Sequence, residues 1–531
     1  MATKGTVNLD AMILRSDFAI QTNVSNDEPT FEKMSTIPAR ELQTGSGVLA
    51  LLRKPDFQRE TNHWSPNQIV SLLECYVNGD LIPSIILWHS SENLFVIDGG
   101  HRLSVIRAWV EDDYGDKDVS MSYFGYNVAK EQKAAAEKTR KLVEKRVGSW
   151  ATIQKYVSNP DLLKQLPANK QKQYRTAISR GLSIQWVSGD VEKAEASFFN
   201  INMKGTPLDK LEENLLKYRN KPIAIAARAI IRSGKGHKYW SKFETETSEN
   251  IEKIASKIHT LLFDPELSSP IKTMDLPLSG SKGVRSALDI LMLLLKISNL
   301  KQGEKLREDF ESIPDDQDGS LTIEYLENLL SVATWITGND KGIGLHPAVY
   351  FYGPTGRHSM PMFAGTFLLM KEKLLLNDKT FFRKFTDVRH VLENSLIENK
   401  DLISTILTKT VSNKRIEVYK NFLNKLIDEI KNNNKQTVLP NEILEYSGIS
   451  GSVFSGTGNL TESTKFSDEE KSKLFIFKAI KTALKCPICN GYIDVTKSVS
   501  YDHINRKRDG GLGTADNGDL LHPYCNQSIK N

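Results

Sequence analysis

The chain has 531 residues, 39% hydrophobic and 25% charged, with 70 Lys and Arg against 65 Asp and Glu for a net charge of +5. This ordinary globular balance excludes disorder as the main state and excludes a polybasic, histone-like binder, while leaving room for local basic patches. The length allows roughly three domains of about 150 residues each.

Residues 1–44 are polar and sparsely patterned and read as an N-terminal extension. They hold no apolar core with a small-residue cleavage site, so a cytoplasmic location is expected. The texture tightens after Lys54, beginning with Asp56-Phe57-Gln58-Arg59 and Trp64. Pro83 to Trp88 and Leu94 to Asp98 are short apolar runs around a turn at His89 to Asn93, which predicts a β-hairpin. Gly99 and Gly100 break the second strand, and Leu103, Ile106 and Val110 follow at helical spacing. The prediction for Asp98-Gly99-Gly100-His101-Arg102 is therefore strand, tight glycine turn, helix. Glycines there let the backbone approach a ligand, the first helical amides point at it, and the Arg102 fork suits phosphate. Asp98 can hold a metal or a water. Taken alone, so short a motif reads first as a polar surface turn.

A charged helix is predicted at about Ala129 to Val147, with Gly148 as its C-terminal cap, and its charges read as a solvated face. Further on stand Phe198-Phe199-Asn200-Ile201-Asn202, Lys204-Gly205-Thr206-Pro207-Leu208 and Glu212. In this order, over about residues 45–220, the segments resemble the ParB/sulfiredoxin-like DGQHR/DGQQR family. That fold forms the front half of GmrSD-type modification-dependent restriction enzymes and of phosphorothioate-sensing defence nucleases. The resemblance implies a mixed α/β domain that senses a DNA mark or binds a nucleotide, a nucleoside triphosphate among the candidates. The residues it implies are Gln58, Arg59, Asp98, Gly99, Gly100, His101, Arg102, Asn202 and Lys204. Gly100 stands where the family usually has Gln, and some members hydrolyse nucleotides at this motif.

Residues 221–446 are mostly helical in pattern, without a fixed-period repeat. The longest apolar stretch, Leu288 to Leu295, contains Asp289 and is followed by Lys296, which predicts a buried helix rather than a membrane span. Asp315 to Gly319 looks like calcium-loop chemistry, but Pro314 and Tyr325 would fall at its first and twelfth positions, so a turn before a helix near Thr322 is expected. The Gly234-Lys235 pair is followed by Gly236, so it is no Walker A loop. Arg383-Lys384 and Lys414-Arg415 are basic stretches that could line a DNA path.

Residues 447–466 are rich in Gly, Ser and Thr and read as a flexible linker. A helix is expected from Ser467, with Glu470 completing a capping box. The four cysteines are too few for a disulfide scaffold, yet three lie in the last 46 residues. Cys486-Pro-Ile-Cys489 and His522-Pro-Tyr-Cys525 are two ligand pairs that together suit a tetrahedral S₃N zinc site. Cys75, in an apolar helical stretch, reads as core.

Between the two pairs lie Asp502-His503-Ile504, Gly510-Gly511 and Asn517, with Asn526 just after the second pair. Phosphodiester hydrolysis needs a divalent cation on the phosphate and a base for the attacking water. Asp502 is a hard ligand for Mg²⁺ or Mn²⁺, His503 a natural base, and the Asn517 amide can hold a loop or the imidazole. Residues 486–531 resemble the HNH (ββα-metal) endonucleases with zinc knuckles, with His522 where a cysteine is usual. The resemblance implies His503 as general base, Asp502 and Asn526 as catalytic metal ligands, Asn517 as the central Asn, and structural Zn²⁺ at Cys486, Cys489, His522 and Cys525. Arg506, Lys507 and Arg508 read equally as DNA-backbone contacts or as a solvated basic turn.

The expected fold is multidomain α+β: extension 1–44, ParB/sulfiredoxin-like domain 45–220, helical connector 221–446, linker 447–466 and ββα-metal nuclease 467–531. The expected function is a metal-dependent DNA endonuclease of a restriction or phage-defence type, with a sensor or nucleotide-binding front controlling the nuclease. Expected partners are double-stranded DNA, modified or not, a second copy of the chain, and other proteins of a defence system; no membrane is expected. Two rivals remain open: a nucleotide hydrolase with the nuclease as its effector, and a non-catalytic DNA-binding regulator that docks through the zinc module.

Overall fold

In the computed structural model the chain divides into two compact units, Met1–Arg219 with Lys235–Tyr239, and Asn220–Gly234 with Trp240–Asn531. The structure describes residues 6–530 apart from 17–31, 56, 57, 59, 60, 62, 63, 91, 125, 127, 129, 190–192, 195, 196, 199, 200, 202–213, 216, 235–238, 281–283, 307–309 and 449–465.

The first unit is built on a mixed sheet of six strands: β1 (Arg15–Ser16), β2 (Thr36–Pro38), β3 (Leu52–Pro55), β4 (Ile85–His89), β5 (Leu94–Asp98) and β6 (Gly181–Val187). Their order is β1-β3-β5-β4-β6-β2. The expected hairpin is β4 against β5, with Leu87 opposite Val96 and His89 opposite Leu94. On either side of it, β3 joins β5 and β6 joins β4, both in parallel. Leu94, Phe95, Val96 and Ile97 are all fully buried, as in a strand covered on both faces. Leu94 and Val96 join the large core with Ile69, Leu73, Leu103, Ile106 and Trp109, whereas Phe95 and Ile97 join Trp88, Ala194 and Phe198.

Two helices of that core are cut to length by local chemistry. Helix Pro66–Asn78 opens on a Ser65–Gln68 capping box with proline in its first turn, and Gly79 closes it at φ 83°. Helix Gly100–Glu111 starts at Gly99, the predicted turn. The charged helix is Lys130–Arg146, and Gly148 after it has φ 105° and accepts the Trp109 indole N–H at 2.9 Å.

The second unit is helical, then turns to the cysteine-rich tail. The apolar run lies in helix Val284–Ser298, where Leu291, Leu294 and Leu295 are fully buried. No described helix is long and apolar enough to cross a membrane. The acidic run is a helix-starting turn: Asp316 accepts from the Gly319 and Thr322 amides at 2.9 and 2.8 Å, ahead of helix Ser320–Thr337. Most of the sequence-predicted linker, residues 449–465, lies outside the described residues. Helix Asp468–Ile480 begins with the Ser467–Glu470 capping box. Then come β7 (Ser500–His503) and β8 (Gly518–Leu521), an antiparallel pair with His503 opposite Gly518, and a helical turn Cys525–Ile529. This tail is bonded to the helical body: Tyr492 N–H donates to Glu393 at 2.7 Å, Tyr524 N–H to the Gly342 carbonyl at 3.0 Å, and Val499 N–H to Asn339 at 2.9 Å.

Candidate functional site

Cys486, Cys489, His522 and Cys525 converge, with ligand atoms all within 4.8 Å of one another and all four residues buried. A tetrahedral zinc site with bonds of roughly 2.0–2.3 Å needs ligand atoms roughly 3.5–4 Å apart, so the donor set fits. The His522 Nε2–H donates to the Tyr492 carbonyl at 3.0 Å, which leaves Nδ1 facing the sulfurs, 3.3 Å from Cys489 Sγ and 4.0 Å from Cys525 Sγ. Burial, with the Arg389 guanidinium near by, pushes the His522 imidazolium down and keeps the ring neutral. Hydrogen bonds within the cluster draw the Cys486 thiol down towards thiolate while pushing the Cys489 and Cys525 thiols up, so the three sulfurs share one negative charge before any metal adds its own.

The turn after Cys525 lies along one face of β7. Asn526 Nδ2 donates to Ser500 Oγ at 2.8 Å. Four residues on, Lys530 Nζ donates to Asp502 Oδ2 at 2.5 Å and to the His503 carbonyl at 2.9 Å. Ser500 and Asp502 are two apart on the strand and so share that face. Burial would raise the Asp502 carboxyl, but the Lys530 hydrogen bond, the His503 backbone N–H and the neighbouring positive charge outweigh it and hold it low. The structure thus brings Asp502 and Asn526 to one face, with an ammonium already on the carboxylate. Sequence reasoning missed Lys530, although its spacing from Asn526 puts both on one side of a helical turn.

His503 is half-buried, and its Nε2 is buried without a hydrogen-bond partner. A Cβ on Gly513 would lie 3.8 Å from that nitrogen, so the loop before β8 passes close to it. Asn517 holds this loop. Its Oδ1 accepts from the Asn505 N–H at 2.7 Å, and its Nδ2 donates to the carbonyls of Leu512 and Asn505 at 2.8 and 3.1 Å. The paired glycines have separate reasons: Gly510 sits at φ 85°, and a Cβ on Gly511 would lie 1.9 Å from the Asn505 carbonyl oxygen.

The basic residues differ in their commitments. Arg506 donates to the Lys530 carbonyl at 3.0 Å, while Arg508 is exposed beside Asp509, and Lys507 opens the turn Lys507–Asp509. In the helical body, Lys384 pairs with Asp428 at 2.6 Å and Arg415 donates to the Thr408 and Thr410 carbonyls at 3.0 Å.

In the first unit, Asp98 at the end of β5 and Arg102 in the first turn of the helix are paired with each other at 2.6 Å. Gly99 sits at φ 92°, where a side chain strains the backbone, and a Cβ there would lie 2.5 Å from Ile85 Cδ1 and force that side chain to shift. His101 meets the Trp64 ring edge-on at 6.4 Å. Gln58 reaches the start of the helix: a Cβ on Gly100 would lie 3.3 Å from its Oε1, which is buried without a partner. A buried ionic cluster that sequence reasoning missed anchors Gln58. Asp10 receives Arg15 at 2.6 Å and Lys54 at 2.9 Å, and Arg15 donates on to the Gln58 carbonyl. Arg59, Asn202 and Lys204 lie outside the described residues.

A family model described as the GmrSD restriction endonuclease N-terminal domain matches residues 41–219, which include the whole glycine turn and Gln58. No curated protein and no solved structure matches the chain at a significant level.

Proposed function

We propose, on the premise that residues 41–219 form a GmrSD-type N-terminal domain, that the chain is a metal-dependent DNA endonuclease of the modification-dependent restriction and phage-defence type. In this reading residues 45–220 bind a DNA mark or a nucleotide, 221–446 couple the ends, and 467–531 cut as an HNH module. The observation that carries the cutting half is the buried, unpartnered Nε2 of His503, beside a carboxylate that already holds a cation.

Water cuts a phosphodiester when a base takes its proton and positive charge meets the charge growing on phosphate. His503 is assigned the base. Asp502 and the Asn526 carbonyl oxygen are hard donors suited to Mg²⁺ or Mn²⁺. Such an ion, when bound, supplies charge stabilisation at the phosphate and leaving oxygen. Asn517 acts as a positioning residue, by fixing the loop beside His503. Zn²⁺ at Cys486, Cys489, His522 and Cys525 staples a fold too small to hold itself. Arg506, Lys507 and Arg508 are assigned to the DNA backbone. In the first unit, the helix N-terminus at Gly100 and the Gln58 amide are the groups assigned to a phosphate and to a hydrogen-bonding ligand edge.

Incubating the purified protein with DNAs differing only in base or backbone modification, with Mg²⁺ or Mn²⁺, tests this. Cleavage confined to one modification supports it. No cleavage of any DNA overturns it and leaves the non-catalytic regulator.

The orphaned Gln58 oxygen also favours a second reading, nucleotide hydrolysis at the glycine turn as the main chemistry. Nucleotide turnover that persists in Asp98→Ala would remove that reading.

A further inference from the structure

We propose that Lys530 is a built-in competitor for the catalytic cation: its ammonium occupies the cation position on Asp502, and a divalent ion enters only by displacing it. The proposal rests on the assignment of Asp502 as a metal ligand.

Lys530 is placed there by more than one contact. Its backbone N–H donates to the Cys525 carbonyl at 3.0 Å, so its position is set by the turn that carries a zinc ligand. Its carbonyl accepts from Arg506 at 3.0 Å, and its ammonium bridges Asp502 Oδ2 and the His503 carbonyl. Both partners of the ion pair are about four-fifths buried, at 22% and 21% side-chain exposure, so water screens the pair only in part. The backbone is fixed and the four-carbon stem is flexible, which lets the ammonium leave without moving the fold.

The ammonium sits on Oδ2, and a divalent ion on the same carboxylate would lie a few ångströms from it. Like charges that close repel strongly in a partly buried site, so one is favoured at the expense of the other. Asn526 cannot relieve the competition, because it brings an amide oxygen and no charge. The Asp502 carboxylate is thus neutralised until metal arrives, and Lys530 sets the metal concentration at which the site fills. The displaced ammonium stays tethered beside the site, where the phosphate of bound DNA is the anion within its chemistry.

A Mn²⁺ titration of the full-length, zinc-loaded protein, followed by the electron paramagnetic resonance signal of free Mn²⁺, needs no catalysis to read. Compared are wild type, Lys530→Met, Lys530→Arg and Asp502→Asn, each checked for zinc content and thermal melting. Lys530→Met is expected to bind Mn²⁺ about fivefold tighter, the scale of one surface-to-partly-buried ion pair. Lys530→Arg keeps the charge and is expected to stay near wild type. Asp502→Asn is expected to lose the site. Equal or weaker binding by a folded Lys530→Met, with Asp502→Asn still deficient, overturns the competitor role alone. Undiminished binding by Asp502→Asn overturns the metal-ligand assignment beneath it.

Discussion

Arg389 and Glu393 stand one turn apart on helix Lys379–Glu398, both buried, in an ion pair of 2.7 Å. Every remaining arm of the pair is used. Glu393 Oε1 also accepts from Tyr350 OH at 3.0 Å, and Oε2 takes the Tyr492 N–H at 2.7 Å. Arg389 donates to the Ile343 and Gly344 carbonyls at 2.6 and 2.5 Å. Two glycines let it reach the cysteine cluster: a Cβ on Gly491 would lie 2.6 Å from the Arg389 stem, and one on Gly344 2.7 Å from the His522 ring. The pair therefore joins the helical body to the first ligand-bearing stretch of the tail, and it holds the Gly344 carbonyl of the segment that packs against His522 in the second.

Glu393→Gln leaves a buried guanidinium without its charge partner. Breaking such a pair from one side costs about 3–5 kcal/mol, because the remaining charge stays desolvated. The expected outcome is that loss in urea denaturation, with faster release of zinc to a chelator. A variant within experimental error of wild type in both would show that the pair does not hold the tail.

Removal of the proposed zinc is expected to reach further than the tail for the same reason. Chelation, or Cys486→Ser, is expected to lower the melting temperature of the helical signal in far-ultraviolet circular dichroism, since Tyr492 and Tyr524 bond directly to the helical body. An unchanged helical melt after complete zinc removal contradicts this.

Asn517→Ala removes three hydrogen bonds that hold Asn505 and Leu512. It leaves Asp502 and the four residues of the cysteine cluster untouched. A misplacement of about 1 Å near a reacting group costs about a hundredfold in rate, and that loss is expected here with zinc content and melting unchanged. A wild-type cleavage rate would mean that the loop does not position His503.

Lys400 offers a test by pH. Its ammonium is buried and donates to the Val349 and Tyr352 carbonyls at 2.8 and 2.7 Å, and burial pushes its pKa down to about 7. Between that value and the ordinary lysine value of about 10.4, the unfolded chain holds a proton that the folded chain has shed, so stability rises with pH through this window. Below about pH 7 both states are protonated and this dependence ends. The stability of wild type relative to Lys400→Met is expected to increase from about pH 7 to about pH 10. A difference that stays flat with pH contradicts the buried, depressed lysine.

What was legible in the sequence was local. The β4–β5 hairpin, the Gly99 turn, the Ser467–Glu470 box and the Asp316 turn are each written within a few residues, where glycine conformation and side-chain capping act. The cysteine cluster was legible because its ligand pairs keep fixed spacing. Strands β1, β2 and β3 were not, being only two to four residues long and lacking periodicity. Nor were the Asp10–Lys54 and Glu393–Tyr492 contacts, which join residues 44 and 99 positions apart. Lys530 lay in between: its spacing from Asn526 was visible, but its choice of Asp502 depends on how the last turn crosses β7.

In the proposed mechanism His503 takes a proton from water during DNA cleavage, and its replacement by alanine is the sharpest check. Wild type and variant, both zinc-loaded, are incubated with plasmid carrying the recognised modification and with Mn²⁺, and nicked product is followed with time. His503→Ala is expected to keep its zinc and its melting temperature and to lose cleavage by a factor of roughly 10²–10⁴, the usual contribution of a positioned base. Nicking by His503→Ala at the wild-type rate contradicts it.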